Sequence, residues 1–406
     1  MNSYSQYDKQ TNKAMNLFDP VILGITITLL TIGLIMVASS SISIADRMNG
    51  QPLYFFYRQL LAVGLGIGIG LVVLFSPMAI WRKYANVLLL VGLILLVLVL
   101  IPGIGKVVNG SSRWISLGLF NLQVSEVVKL IFIVYLAGYI VNKNNDLTKS
   151  YKQFVPPLVL LCLVAFLLLL EPDLGAVVVI FATALGMLFI AGAPLLAFVM
   201  MIILVSIAAV LLVYFEPYRM TRFQAFINPW DDPFNSGFQL TQSLMAFGRG
   251  DWVGEGLGKS IQKLFYLPEA HTDFIFAIIA EELGMIGVIV IILLFLLLIF
   301  RIFSLAKKAF LKEKIFEAFI MFGIGIWISL QAFINIGVNM GVLPTKGLTL
   351  PFISYGGSSV MVMCITIALV LRAEYETRCS KPVSILQWSL FSLPLLNSAA
   401  MRLESR

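Results

Sequence analysis

The stretch YLPEAHTDFIFAIIAEELG, residues 266–284, decides the fold. It opens a long apolar run, yet it carries Asp273 two places after the only histidine of the chain, and then Glu281 and Glu282. A carboxylate in hydrocarbon costs about 2.5 kcal/mol or more, so it is kept only where it is paired, wet or useful. The reading of these three acids therefore depends on where a membrane lies.

Around the stretch, 60% of the 406 residues are hydrophobic and only 12% charged, with a mean hydropathy of +0.96. That composition excludes a water-soluble globular fold. One crossing needs roughly 20 apolar residues. Runs of that kind fall near 21–41, 59–76, 85–101, 124–141, 155–170, 174–192, 194–215, 274–300, 315–340 and 354–371. The expected fold is an all-α polytopic membrane protein of about ten transmembrane helices. A cytoplasmic segment, 1–20, precedes the membrane domain, 21–372, and a cytoplasmic tail, 373–406, follows it. The first run is too long in its apolar part to read as a cleavable leader and is expected to remain as an anchor. VSILQWSLFSLPLLNSAA, near the C-terminus, reads as an interfacial or loosely ordered tail.

Lysine and arginine set the orientation. With the N-terminus inside, the cytoplasmic segments hold 17 of them, whereas the short outer loops hold five: Arg47, Arg58, Lys106, Arg113 and Lys346. Both termini are thus expected in the cytoplasm. The net charge of +7 is a topology signal and gives no reason to expect nucleic-acid binding. Cys162, Cys364 and Cys379 show no paired spacing, so neither a disulfide framework nor a zinc site is indicated.

In this orientation the eighth crossing enters from outside, with Asp273 at its outer end and Glu281 and Glu282 about 12 and 13.5 Å deeper. Other polar residues gather at the same surface. Glu126 and Lys129 stand three apart at the start of the fourth crossing, close enough to pair. EPDLG, 171–175, is an outer turn, and LPTKGLTLPFISYGGSS places Lys346 and Ser358 at the outer end of the tenth crossing. Gln331, Asn335 and Asn339 recur every four residues and share one helix face; plain hydrogen bonding between helices accounts for them. Overlapping GxxxG spacings, Gly64/Gly68 and Gly66/Gly70, read as close helix packing or as a groove for a lipid tail.

The segment 216–273, the long extracytoplasmic loop between crossings seven and eight, is too long for a plain connector. YRMTRFQAFINPW would gather Met220, Phe223, Phe226 and Ile227 on one helix arc, as in a segment lying in the interface. Arg219, Arg222, Arg249, Lys259 and Lys263 offer positive charge near lipid phosphates, or simple anchoring. GEGLGKS, 254–260, looks like a phosphate-binding loop, but the GxxxxGK[ST] spacing needs glycine where Val253 stands. PWDDPF reads as a turn.

An outer-surface site with a carboxylate, scattered cations and no nucleotide loop suits sugar transfer from an isoprenyl pyrophosphate to a hydroxyl. That reaction needs a base for the hydroxyl and positive charge for the leaving group. Asp273 is the candidate base; the alternative is that Thr272 or Asp273 simply caps the eighth helix. His271 is a weaker candidate, with interfacial hydrogen bonding as its other reading.

PEAHTDFIFAIIAEELG, NGSSRWI, EPDLG, NPWDDPF, GFQLTQSLMAFGRG, GLGKSIQKL and LPTKGLTLPFISYGGSS resemble motifs of the SEDS family of peptidoglycan polymerases, over most of residues 20–378. The forms AFGRG and GLGKSIQKLFYLPEAHTDF are closer to its cell-division branch than to its elongation branch. The resemblance implies a ten-helix enzyme that joins lipid II disaccharides into glycan strands outside the cytoplasmic membrane, at the division septum. It implies Asp273 as the catalytic residue, with Arg113, Glu126, Lys129, Arg219, Arg222, Gln242, Ser243, Lys263, His271, Lys346 and Ser358 as candidate substrate-binding residues. A divalent cation, Mg or Mn, is expected, and so are a class B penicillin-binding transpeptidase and other divisome membrane proteins as partners. Two positions depart from the family pattern: Val124 stands where QPSE has proline, and Glu171 where QPDLG has glutamine. A lipid II flippase and a noncatalytic division scaffold are the competing functions.

Overall fold

The computed structural model describes residues 18–108, 111–116, 118, 121–147, 151–193, 198–203, 207, 214 and 217–379. The N-terminal segment to residue 17, most of the expected seventh crossing and the tail after residue 379 lie outside the described residues. The helices are α1 (Pro20–Asn49), α2 (Tyr54–Phe75), α3 (Met78–Leu100), α4 (Val124–Leu147), α5 (Val155–Leu170) and α6 (Leu174–Ile190). They continue as α7 (Pro217–Ile227), α8 (Phe238–Gly250), α9 (Ile275–Leu311), α10 (Ile315–Asn339) and α11 (Gly357–Cys379). Nine of the ten expected crossings thus coincide with described helices. Seven of these, α1 to α4 and α9 to α11, are long and apolar enough to cross a membrane. α5 and α6 are apolar throughout but have 16 and 17 residues, about 24 to 26 Å of helix against a hydrocarbon core of about 30 Å.

Local chemistry sets the ends. Asp19 caps α1, accepting from the backbone N–H groups of Val21 and Ile22 at 3.1 Å each, and also binds the Arg301 guanidinium of α9. α5 begins with proline in its first turn, where a missing N–H costs nothing. Among the described helices, α4 and α11 form the buried centre, while α3 and most of α9 face outward. The glycine spacings in α2 divide by face. Gly66 and Gly70 lie against Met361, Cys364 and Ala368 of α11, so packing explains that pair, whereas Gly64 and Gly68 face open space.

Strands interrupt the all-helical expectation at one place. The loop after α3 folds as an antiparallel sheet, β1 (Gly105–Val108), β2 (Ser111–Ser116) and β3 (Asn121–Gln123), in the order β1-β2-β3. Asn109-Gly110 between Val108 and Ser111 is the two-residue hairpin signal that announces it.

The opening acids find their explanation in a break in α9. Gly284 has φ +66° and ψ −169°, a backbone region that strains any side chain. The loop after α8 inserts there. Glu255 and Gly256 donate their N–H groups to the Glu281 and Glu282 carbonyls at 3.0 and 3.1 Å. Met285 and Ile286 in turn donate to the carbonyls of Asp251 and Trp252 at 2.9 and 3.2 Å. A Cβ on Gly254 would lie 2.3 Å from the Glu282 carbonyl oxygen, so only glycine allows this approach. Both acidic side chains are spent on the same loop. Glu281 accepts from the Ser260 hydroxyl and from the N–H groups of Ile261 and Gln262; Glu282 accepts from Lys263 Nζ at 2.6 Å and from Ser39 of α1.

That break also divides α9 by exposure. Residues 275–282 are buried in protein, whereas exposed large apolar side chains on α9 begin at Met285 and Ile286.

Candidate active site

Asp273 ends the loop that leads into α9. The residue that caps this helix is Phe274, which makes no side-chain cap bond, and Thr272 turns away to bind the Glu269 carboxylate at 2.7 Å. The capping interpretation of Thr272 and Asp273 is therefore overturned. The Ala277 N–H, which also donates to the Phe274 carbonyl at 3.1 Å, takes its side-chain acceptor from α10 instead, as Asn339 Oδ1 at 3.1 Å.

The Asp273 side chain is half-buried. A Cβ built on Gly347 would sit 3.3 Å from Asp273 Oδ2, so the glycine lets its loop come close to the carboxylate. Loss of water, together with the neighbouring Glu269 charge, pushes the carboxyl up to about 7; Arg113 and Arg222 pull it down, and Asp173 adds a smaller upward push. A carboxylate balanced near neutrality is a stronger base than an ordinary aspartate and is still ionised at working pH.

Two of the cations expected from the sequence face this group. Arg113, on β2, is aimed by main-chain carbonyls: its Nε donates to Glu171 O at 3.1 Å and its Nη2 to Pro172 O. Arg222 lies on α7 and acts on Asp273 through space. Lys346 is the residue before Gly347, which brings its loop to the carboxylate.

The remaining candidates lie elsewhere or serve the frame. Lys129 and Glu126 form a buried ion pair at 2.7 Å, with Lys129 also donating to Gln331 Oε1 at 2.9 Å and standing 5.0 Å from the Trp327 ring centre. Lys263 is consumed by Glu282 and Ser39. Ser243 donates to the Asn339 carbonyl at 2.7 Å. Ser358 joins the start of α11 to the sheet, donating to Asn121 O and accepting from the Gln123 N–H at 2.9 Å. Gln242 is half-buried on α8, and the Arg219 side chain lies outside the described residues. His271 packs its ring 4.7 Å from Phe55 and 5.5 Å from Tyr355, and burial lowers its pKa, so it stands as a neutral ring beside the site. Asp231 and Asp232 close local turns onto Asn228, Asn235 and Ser236.

Sequence reasoning missed Glu269 and the role of the asparagines of α10. Asn335 Nδ2 donates to the main-chain carbonyl of Asp273 at 2.8 Å and to that of Leu348 at 2.6 Å; Asn339 Nδ2 donates to the same Asp273 carbonyl at 3.0 Å. The four-residue spacing showed that they share a face, but nothing local showed what they hold.

Glu171, the departure from the family pattern, is fully buried, and neither of its carboxylate oxygens has a hydrogen-bond partner. Burial, with Asp173 adding and Arg113 opposing, pushes it up to about 8. The folded chain keeps this proton from about pH 4.5 to about pH 8 whereas the unfolded chain gives it up, so stability falls as pH rises through that window and then levels off. Glu171→Gln has the same shape without the charge. Its melting temperature in detergent is expected to fall less across the window than that of the parent, and to exceed it at the alkaline end. Equal losses in both chains would assign the pH dependence to other groups.

Comparison with known proteins gives a consistent result. The FtsW/RodA/SpoVE family model, described as cell cycle protein, matches residues 20–379. The probable peptidoglycan glycosyltransferase FtsW of Thioalkalivibrio sulfidiphilus is 52% identical over 366 residues, covering 89% of this chain and 92% of that one. Among solved structures, a chain from a peptidoglycan synthase complex that coordinates polymerization and crosslinking superposes with a TM-score of 0.74 at 26% identity, over 89% of this chain and 99% of that one. The rod shape determining protein RodA of Thermus thermophilus superposes with a TM-score of 0.68 at 26% identity, over 91% and 100%.

Proposed function

The chain belongs to the FtsW/RodA/SpoVE family of cell-cycle proteins and is a multi-pass membrane peptidoglycan glycosyltransferase, and from that premise we propose that Asp273 is its catalytic base. One observation carries the reading: a half-buried carboxylate, raised toward neutrality, stands beside the Gly347 backbone within the field of two arginines. The substrate is lipid II, a disaccharide peptide on undecaprenyl pyrophosphate. Asp273 takes the proton from the acceptor GlcNAc hydroxyl as its oxygen attacks the anomeric carbon of the donor sugar. The bond from that carbon to the phosphate oxygen breaks with inversion, and the pyrophosphate departs with the electron pair. Arg113 and Arg222, with Lys346 on the adjoining loop, stabilise the growing negative charge. The activated donor supplies the energy, so no nucleotide is needed.

Among the described residues, no three His, Cys, Asp or Glu side chains group as a metal cage. Near Asp273, Asp173 is occupied by Ser125 and the Ala176 N–H, and Glu269 by Thr272. These residues do not fit a resident divalent cation, so no step above passes through one; Mg or Mn would have to arrive largely on substrate phosphate oxygens.

The cytoplasmic membrane at the division septum, with both termini inside, is the setting this reading implies, together with other divisome membrane proteins. A class B penicillin-binding transpeptidase is the partner, supported by the crosslinking function in the matched synthase complex. Lipid II translocation is a second reading, favoured by the interrupted helix at Gly284, a device of transporters. Against it, the Glu281 and Glu282 carbonyls and the Met285 and Ile286 N–H groups at that break are taken by the loop at 251–256. Full-length protein in proteoliposomes with lipid II tests both readings: glycan polymer on the face of the Asp273 site supports the first, and lipid transfer across the bilayer without polymer supports the second.

A further inference from the structure

We propose that Asn335 and Asn339 are positioning residues for the glycosyl transfer, capping α9 and holding the Asp273 main chain from a neighbouring helix so that the Asp273 side chain is left for chemistry. The inference rests on the reading of Asp273 as the base. An aspartate just before a helix normally turns its carboxylate onto the first free N–H groups, where it would be of no use to a substrate. In this chain Asn339 Oδ1 accepts from Ala277, while Nδ2 donates to the Asp273 carbonyl and to its own helix at Asn335 O, 2.9 Å away.

Asn335 fixes the other wall. Its single amide nitrogen joins the Asp273 carbonyl to that of Leu348, the residue after Gly347, and so ties the Gly347 loop to the Asp273 main chain. Both asparagines are almost fully buried. The partners determine which amide atom points where, because two carbonyls require a donor and an N–H requires an acceptor. Aspartate at 339 would keep the acceptor and lose the donors. Ser243 braces the same residue by donating to the Asn339 carbonyl, and Gln331, one turn deeper, holds Thr349 at 3.1 Å. One face of α10 therefore grips both segments that flank the carboxylate.

The groups acting on the Asp273 charge are Glu269 in its own loop, Arg113 on β2, Arg222 on α7 and Asp173 at the start of α6. A loosened Asp273 would regain water and its response to all four would weaken, which gives a readout that mere destabilisation does not share. Full-length Asn335→Ala and Asn339→Ala, in proteoliposomes with lipid II, are expected to lower kcat by about 10- to 100-fold while KM stays within about threefold. The acid limb of their kcat profile is expected to move about one unit down, toward an ordinary aspartate. Should alanine at 339 fail to fold, Asn339→Leu removes the amide at similar size without adding a charge and is expected to show the same fall in kcat. Folded variants with parental kcat, or variants whose activity falls only with the amount of folded protein while the acid limb stays put, would overturn the proposal. Asp273→Asn in the same assay separates the two levels: if it keeps its activity, the catalytic reading and the positioning role fail together, whereas an inactive Asp273→Asn beside fully active asparagine variants sinks the positioning role alone.

Discussion

Asp273→Asn is expected to lose glycan polymerisation by about a hundred- to ten-thousand-fold, the range associated with removal of a general base. The change keeps the shape of the side chain, and the bonds from Asn335 and Asn339 go to the main-chain carbonyl, which any residue provides. The melting temperature is therefore expected to stay close to that of the parent. Polymer made from lipid II by the reconstituted variant is the measurement, and a rate within about tenfold of the parent would remove Asp273 from the base role. The parent has its own signature in pH. A base must be ionised to accept a proton, so kcat should rise with pH through about 7 and level off above it. Asp273→Glu, which retains the charge but lengthens the arm toward Gly347, is expected to fall between the two.

The second large effect concerns the centre of the bundle. Lys129 is buried against Glu126, Gln331 and the Trp327 ring, and Glu126 keeps a second buried oxygen with no partner. Lys129→Met fills much of the same volume but strands the Glu126 charge. A loss of about 3 to 5 kcal/mol is expected, because breaking a buried pair leaves one ion uncompensated. Adding Glu126→Gln to Lys129→Met should restore most of it, since replacing both members of such a pair is often nearly neutral. Thermal unfolding of the three variants in one detergent is the check. A double variant no more stable than Lys129→Met alone would show that the ammonium contributes through Gln331 and Trp327 instead. The coupling also bears on the site, for Gln331 joins Lys129 to Thr349 in the loop beside Asp273.

What could be read in advance follows the range of each interaction. The crossings are visible because burying apolar side chains in lipid depends on composition over about 20 consecutive residues, and α4, for example, begins at the expected residue 124. The outer position of the polar groups is an expectation from the same count together with the charges in the loops. The hairpin over 105–116 left a local signal in Asn109-Gly110, hidden by reading that segment as a connector. The partners of Glu281 and Glu282, namely Ser260, Lys263 and Ser39, were not legible because tertiary folding brings them there, and Ser39 is 243 residues away from Glu282. Lys263 looked available for substrate for the same reason, its ammonium being engaged by Glu282 and Ser39, whereas the Lys129 pair with Glu126 was legible at its three-residue spacing and only the bond to Gln331 was not. In the α10 ladder the spacing was plain, but its bonds to the Asp273 and Leu348 carbonyls belong to loops without periodicity.

Gly284 divides α9 into a short head pinned by the loop at 251–263 and a long shaft in the lipid. A continuous helix would carry any lean of its shaft straight to its tip. Here the loop at 251–256 bonds to main-chain groups above the break, at Glu281 and Glu282, and below it, at Met285 and Ile286, so head and shaft share one clasp. The aspartate ahead of the head takes its position from that clasp as well as from α10.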